Sequence, residues 1–440
     1  MEIYFGIVIS LILLGMCVLK NIYMGYALII SWLLFVLITL RKGYKFKDIM
    51  LMSYNGGKKS FVVIKILLLI GAVISIWMAS GTIPTIVCYC LKYINPSYFT
   101  LSAFLICSIT SFLIGTSGGT VSIVGIPLII LARSGSINLN IAAGAIIAGA
   151  FFGDRCSMMS SSAALVSGIT DTNLFVNIKN MIKTSIIPLL LSLLFYYAIS
   201  VHEPLRVLNT SLPTEISGTF NIGLIMLIPA FIILILSLLK VKVNNSIFIS
   251  IIAAGFLALH FQNCSLKKII YFAVFGFKLD HLNPLYKIIR GGGIISMLKT
   301  SFIVFISCSL VGIFEEINVF DDVKRKIADR KLNRKQLFNL TALIGLFMDG
   351  LSCSQTTGVI MTNEIIKDSY CKNNYELAMD IENTAIVFAA VIPWNIAALI
   401  CTSAMNVNMI KYIPYAFYLY MIPVVTFILK KLDRIKAYTN

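Results

Sequence analysis

Apolar runs close to twenty residues long recur from one end of this chain to the other. Ile3–Leu19, Ile22–Leu40, Phe220–Leu239, Ile294–Phe314 and Tyr412–Leu429 are examples. Each is near the ~20 residues a helix needs to cross a hydrocarbon core of about 30 Å. Composition agrees: 58% of the residues are apolar, 12% are charged and the mean hydropathy is +0.91. A soluble domain carries about 25% charged residues. The expected fold class is therefore an all-α polytopic membrane protein of roughly 10–12 spans.

A net charge of +17 would suit a nucleic-acid partner, but its placement argues for a bilayer instead. The basic residues gather in three short segments. Arg41, Lys42, Lys45, Lys47, Lys58 and Lys59 form one; Lys324, Arg325, Lys326, Arg330, Lys331, Arg334 and Lys335 form the second; Lys430, Lys431, Arg434 and Lys436 form the third. Short basic connections mark the cytoplasmic side. A chain threaded with Met1 inside puts all three there, in a bacterial plasma membrane with both termini cytoplasmic. Cys17, Cys107, Cys308 and Cys401 fall within apolar runs and read as small hydrophobes rather than a disulfide framework. The first run lacks a basic lead-in and a small-residue cleavage site, so it reads as a retained helix.

Several apolar stretches are broken by small polar residues. In the first half, 1–219, the breaks are 81–84 (Gly-Thr-Ile-Pro), 115–120 (Gly-Thr-Ser-Gly-Gly-Thr) and 153–162. In the second, 220–440, they are 349–357 and 393–395 (Pro-Trp-Asn). Non-helical backbone in a bilayer leaves peptide groups unpaired unless protein or water satisfies them. A lone glycine usually marks close helix packing; three glycines and three hydroxyls in six residues point to a cavity wall. Gly115 and Gly350, Ser117 and Ser352, and Pro188 and Pro423 all stand 235 positions apart. Interrupted helices at matching places in two halves are the sequence mark of a secondary transporter built from repeats, with its site where the breaks meet.

Ionisable groups at membrane depth cost ~2.5–3.5 kcal/mol on insertion scales and are functional candidates by default. Asp154, Asp349 and Glu382 meet that description, and Asp171 stands nearer an interface. A hard cation such as Na⁺ takes oxygen ligands. Thr116, Ser117, Thr120, Ser157, Ser160, Thr357, Asn383 and Asn395 supply them at the breaks. A carboxylate that holds either H⁺ or Na⁺ couples the two, because they compete for one place. Helix N-termini at Val121 and Thr356 equally suit an anionic substrate. Residue types alone leave both cargoes open. Gly56-Gly57-Lys58-Lys59-Ser60 looks like a phosphate loop, but Met52 occupies the position that needs glycine. Neither an HExxH zinc site, nor an aspartate-rich prenyl-pyrophosphate motif, nor a Ser/His/Asp set supports an enzyme. No cofactor is expected.

At these same breaks the chain resembles the NhaC-type sodium/proton antiporter family. The matching stretches are Trp77–Thr85, Gly115–Gly125, Gly153–Ser157, Asp171–Met181, Arg290–Gly292, Ile392–Asn395 and Tyr412–Phe417. The resemblance covers nearly the whole chain in order. It implies inverted-topology repeats with re-entrant hairpins, Na⁺ and H⁺ as transported ions and, by analogy with the wider superfamily, a homodimer. The family also includes exchangers of organic acids. Three positions where the family carries a carboxylate differ here: Ser161, Ser354 (followed by Gln355) and Asn383. Asp154, Asp171 and Glu382 remain as the proton- or cation-binding carboxylates. Thr116, Ser117, Thr120, Ser157, Ser160, Ser161, Ser354, Gln355, Asn383 and Asn395 are the neutral oxygen ligands or substrate contacts. The leading reading is a Na⁺/H⁺ antiporter. An ion-coupled carrier of a small carboxylate or amino acid is the alternative, and a transport-dead regulatory protein a second one.

Overall fold

The computed structural model describes residues 2–431 apart from 21, 136, 205–211, 240, 242, 288, 318–323, 326, 328–331 and 371–372. Lys326, Arg330, Lys331, Arg434 and Lys436 of the basic segments lie outside the described residues. Regular structure among the described residues is helical. The first half runs α1 (Glu2–Leu19), α2 (Gly25–Arg41), α3 (Phe46–Lys59), α4 (Phe61–Ala79), α5 (Thr82–Tyr93), α6 (Phe99–Ile114), α7 (Ser117–Ser134), α8 (Leu139–Cys156), α9 (Ser161–Ile169), α10 (Leu174–His202) and α11 (Leu212–Thr219). The second continues with α12 (Ile228–Leu238), α13 (Val243–Phe261), α14 (Leu266–Phe275), α15 (Leu298–Glu316), α16 (Arg334–Ser352), α17 (Gln355–Ile366), α18 (Asn374–Asn383), α19 (Ile396–Met405) and α20 (Phe417–Lys431). Among the described residues seven helical stretches are long and apolar enough to cross a membrane, and the pair Pro213–Thr219 and Leu224–Leu236, bent by 88°, makes an eighth if it is one broken span. The protein is an all-α, multi-pass membrane protein.

Small residues decide which helices touch. α8 carries Ala-Ala-Gly-Ala-Ile-Ile-Ala-Gly-Ala, and its backbone lies directly on α6. A Cβ at Gly149 would come 2.5 Å from the Phe104 carbonyl oxygen, and one at Gly153 only 1.9 Å from the Ser111 carbonyl carbon. Between lipid-compatible surfaces the hydrophobic effect gives no net attraction, so close backbone approach supplies the contact. α3 and α15 cross in the same way: a Cβ at Gly56 would sit 2.7 Å from the Gly312 Cα. The glycines of the apparent phosphate loop are thus helical and serve packing. α3 folds back along α2, where Trp32 Nε1 donates to Ser53 Oγ at 2.7 Å.

The breaks are shorter than expected, and the helices around them longer. Gly115, at φ 76°, ends α6, and extended Thr116 starts α7, four residues before the expected Val121. α8 runs through Gly153-Asp154-Arg155 to Cys156, because the Gly153 contact with α6 requires helical backbone there. The second-half break narrows to Cys353, left-handed at φ 54°, and extended Ser354, leaving Asp349 inside α16. Ile381–Ile392, apolar apart from Glu382, Asn383 and Thr384, does not form one continuous helix. α18 stops at Asn383, and a single turn, Ala385–Phe388, leads into an irregular stretch ending at Asn395. Trp77 is a buried packing residue, its Nε1 donating to Ser250 Oγ at 2.9 Å.

Gly153→Ala is expected to lower thermal stability in detergent by about 1–3 kcal/mol, since the clash meets backbone that cannot yield. The gain in helix propensity, ~1 kcal/mol, is smaller than the expected clash. Gly168→Ala, also helical but with nothing within 4 Å of its Cβ, is the control and should keep or slightly raise the melting temperature.

Candidate functional site

Three of the breaks, two from the first half and one from the second, close on one cavity. Its 290 Å³ is walled by Thr116, Ser117, Asp154 and Ser161 on one side and by Ser354 and Gln355 on the other. Thr116 caps α7, its Oγ1 accepting from Gly119 N at 3.2 Å. Gly118, Gly119 and Thr356 also line the space, so the N-terminal turns of α7 and α17 border one cavity. Their partial positive ends share this cavity with Asp154, the one charged residue among the described residues of its wall. The buried Asp154 carboxylate accepts from Ser117 Oγ at 2.9 Å and Ser162 Oγ at 3.0 Å. Its backbone carbonyl accepts from the Ser160 and Ser162 hydroxyls. The serine run after α8 therefore wraps back on the aspartate and holds it at the cavity wall.

Arg155, one residue on, points the other way and is fully buried. Its Nε donates to the Glu382 carbonyl at 3.1 Å, its Nη2 to Thr184 Oγ1 at 2.8 Å and to Asn383 Oδ1. Its Nη1 reaches Ser185 Oγ, which in turn contacts Tyr418 Oη at 3.0 Å. One guanidinium thus joins α8 to α10 and α18. It takes the Glu382 carbonyl that the end of α18 leaves free, which is why that helix can stop inside the protein. Arg155 forms no ion pair within 4 Å among the described residues. Glu382 is near enough to act on it electrostatically.

Glu382 is fully buried, and neither carboxylate oxygen has a hydrogen-bond partner among the described residues. The same is true of Asp349, whose Oδ1 lies against Gly358 of α17. Buried carboxylate oxygens without a donor are places where a proton or small cation has to come from elsewhere. Around Asp349 the two second-half breaks meet: Asn395 Nδ2 donates to the Asp349 carbonyl at 3.1 Å, and Trp394 Nε1 to the Gly350 carbonyl at 2.6 Å.

The remaining sequence candidates divide clearly. Thr120 and Ser157 are buried beside the cavity, bonded to the Thr116 carbonyl and the Met159 N–H respectively. Asn383 serves Arg155 rather than the cavity, and Asn395 caps α19. Asp171 stands apart, exposed in the turn between α9 and α10 at φ 51°. Sequence reasoning missed Arg155 as a functional residue, although the rule that flags carboxylates at membrane depth applies equally to a cation. It also missed the buried cluster of Lys430, Asp380 and Glu376. There Lys430 Nζ lies 2.6 Å from Asp380 and 3.1 Å from Glu376.

Stacked apolar helices, broken at membrane depth around a polar cavity and buried carboxylates, define a secondary transporter. The Na⁺/H⁺ antiporter family model matches residues 149–430, more than half of the chain. The protein belongs to that family. It is 28% identical over 425 residues to the malate-2H⁺/Na⁺-lactate antiporter of Bacillus subtilis, covering 94% of this chain and 90% of that one. It is 28% identical over 397 residues to the Na⁺/H⁺ antiporter NhaC of the same organism (88% and 87% covered). With the Na⁺/H⁺ antiporter NhaC of Alkalihalophilus pseudofirmus it shares 26% over 383 residues, 84% of this chain and 82% of that one.

Removing the Arg155 guanidinium strands the Glu382 carbonyl, the Asn383 amide and a buried negative site together. Arg155→Gln should cost about 3–5 kcal/mol of stability, and Glu382→Gln much less. In the double variant the loss should be smaller than the sum, by an interaction energy of about 1–3 kcal/mol. Additive losses in thermal unfolding would show that the two residues do not interact.

Proposed function

We propose that this protein exchanges Na⁺ for protons across the plasma membrane of a bacterium, with its basic connections and both termini in the cytoplasm. The observation that carries the reading is Asp154, the sole charged group among the described residues on a cavity formed by three helix breaks, already held by two hydroxyls. Na⁺ bound there would take carboxylate and Ser117, Ser161 and Thr116 oxygens; a proton would displace it at the same carboxylate. Competition at one place is what makes the exchange obligatory. Glu382, enclosed behind Arg155, is a second proton-holding group, linked to Asp154 through adjacent residues of α8. The breaks meet pairwise, Ser117 on Asp154 in the first half and Asn395 on Asp349 in the second. That pairing supports two repeats, 1–219 and 220–440, each contributing a broken pair to the site.

The test is flux in liposomes holding a trapped pH dye. With an imposed proton gradient, external NaCl should drive dye recovery in the native protein. Asp154→Asn should abolish it, and Glu382→Gln should reduce it by about tenfold or more. Folded protein that gives no response to Na⁺, Li⁺ or K⁺ would overturn cation exchange and turn attention to organic acids and amino acids.

A further inference from the structure

Two more cavities stand at opposite ends of α15, and their charges differ in sign. Lys59, Glu315 and Glu364 line the larger, of 710 Å³, with Lys59 and Glu315 paired. The smaller, of 340 Å³, is lined by Arg133, Arg290 and Lys299 and, among the described residues, by no Asp or Glu. Lys299 and Glu315 belong to the two ends of α15, about 24 Å apart along a helix rising 1.5 Å per residue. The end at Glu316 leads to the basic connection that contains Lys324 and Arg325, so the three-cation cavity opens on the opposite face.

These cations are placed, not scattered. Arg133 is half-buried in the last turn of α7, where Nη2 makes long bonds to the Met405 and Asn406 carbonyls at 3.4 and 3.5 Å. Arg290 precedes Gly291, Gly292 and Gly293, whose φ values of 130°, 71° and 89° are disfavoured for residues with a side chain. The glycines press the backbone onto α4: Gly293 N donates to the Gly71 carbonyl at 2.6 Å, and a Cβ on Gly292 would lie 2.7 Å from Ser75 N. This strained turn carries Arg290 to the cavity that Arg133 also lines, near enough for the two guanidinium groups to repel. Lys299 adds a third charge from the exposed rim. A cleft lined by one sign of charge concentrates the opposite sign and repels Na⁺.

We propose that this cavity is a binding site for a small oxyanion, presenting carboxylate or phosphate oxygens to the Arg133 and Arg290 forks. The forked donors fit two oxygens of one group, and the volume falls within the range of small-ligand pockets. The anion relieves the arginine repulsion and lowers the positive charge, +3 from Arg133, Arg290 and Lys299, at the mouth that Na⁺ must pass. Its source is either dissolved anion or an anionic lipid headgroup.

The experiment is thermal unfolding of the full chain, first in neutral detergent with choline malonate, succinate or phosphate against choline chloride at equal ionic strength. A saturable stabilisation by an oxyanion beyond that of chloride is expected, its half-saturating concentration rising about tenfold or more in Arg133→Gln and in Arg290→Gln. The same proteins in phosphatidylcholine nanodiscs, with and without phosphatidylglycerol, test the lipid source. Stabilisation by the anionic lipid alone, lost in the variants, assigns the site to headgroups. Arg290→Gln and Lys299→Gln, on the exposed rim, carry the test if Arg133→Gln does not fold. Equal responses to chloride and every oxyanion, with no effect of lipid charge, would overturn the proposal, as would native-like responses in the variants. Because the readout is binding, a failure of Na⁺/H⁺ exchange in liposomes leaves this result standing.

Discussion

Helix ends inside a bilayer are permitted only where something takes over their hydrogen bonds, and in this protein Arg155 does so for the helix carrying Glu382. Hydrocarbon provides no partner for the carbonyls that α18 releases at Glu382 and Asn383. A guanidinium has five N–H donors fixed in one plane, and Arg155 spends them on a released carbonyl, an amide oxygen and three hydroxyl or carbonyl groups of α10. The break, the buried acid and the link between the two halves follow from that one side chain. Lysine, with three donors around a point charge, would not span the same set.

The other end of α18 is held with comparable firmness. Lys430 of α20 bridges Asp380 and Glu376, Tyr370 donates to Asp380 at 2.8 Å, and Arg334 at the start of α16 stands 3.5 Å from Glu376. Three of these charges, Lys430, Asp380 and Glu376, are withdrawn from water, a cost repaid only by close, saturated geometry, while Arg334 stays exposed at the rim. Their arrangement ties the first turn of α16 and the last turn of α20 to α18. α18 is thus held at both ends, with Glu382 and Asn383 in its last turn. Arg155, which holds that last turn, is the chain neighbour of Asp154 on the cavity wall.

Much of this was legible in the sequence, because the bilayer leaves few options. Glycines and hydroxyls amid apolar residues at 115–120, 153–162 and 349–357 had to mark breaks, and Thr116, Ser117, Asp154, Ser161, Ser354 and Gln355 do line one cavity. Exact helix ends were not legible: α8 continues through Asp154 because of a contact with Ser111 on another helix, which no local pattern reports. Nor was the fate of each acid. Asp171 reads from sequence as nearer an interface and lies in an exposed turn. Asp154 and Glu382 look alike as residues in apolar surroundings, yet one lies on a cavity and one is enclosed. The Lys430 cluster joins residues 50 and 54 positions apart, and α18 by itself reads as an ordinary polar helix.

The order of the cavities along two helices says where the barrier to transport lies. α4 meets the large vestibule with Val62 and Val63, the central cavity with Val63, Ile66 and Ile70, and the cationic vestibule with Ile74 and Met78. α19 follows the same order with Ile396, then Ala397 and Ile400, then Thr402 and Ser403. The central cavity shares Val63, Ser354, Thr356 and Ile396 with the large vestibule and no lining residue with the cationic one. The central cavity is therefore continuous with the large vestibule and parted from the cationic one by an apolar seal of about 6 Å along α4, from Ile70 to Ile74, and about 3 Å along α19, from Ile400 to Thr402. The glycine turn that carries Arg290 rests on α4 at Gly71 and Ser75, directly beside that seal. Charge at the far mouth and closure of the path are thereby built on the same turn of the same helix.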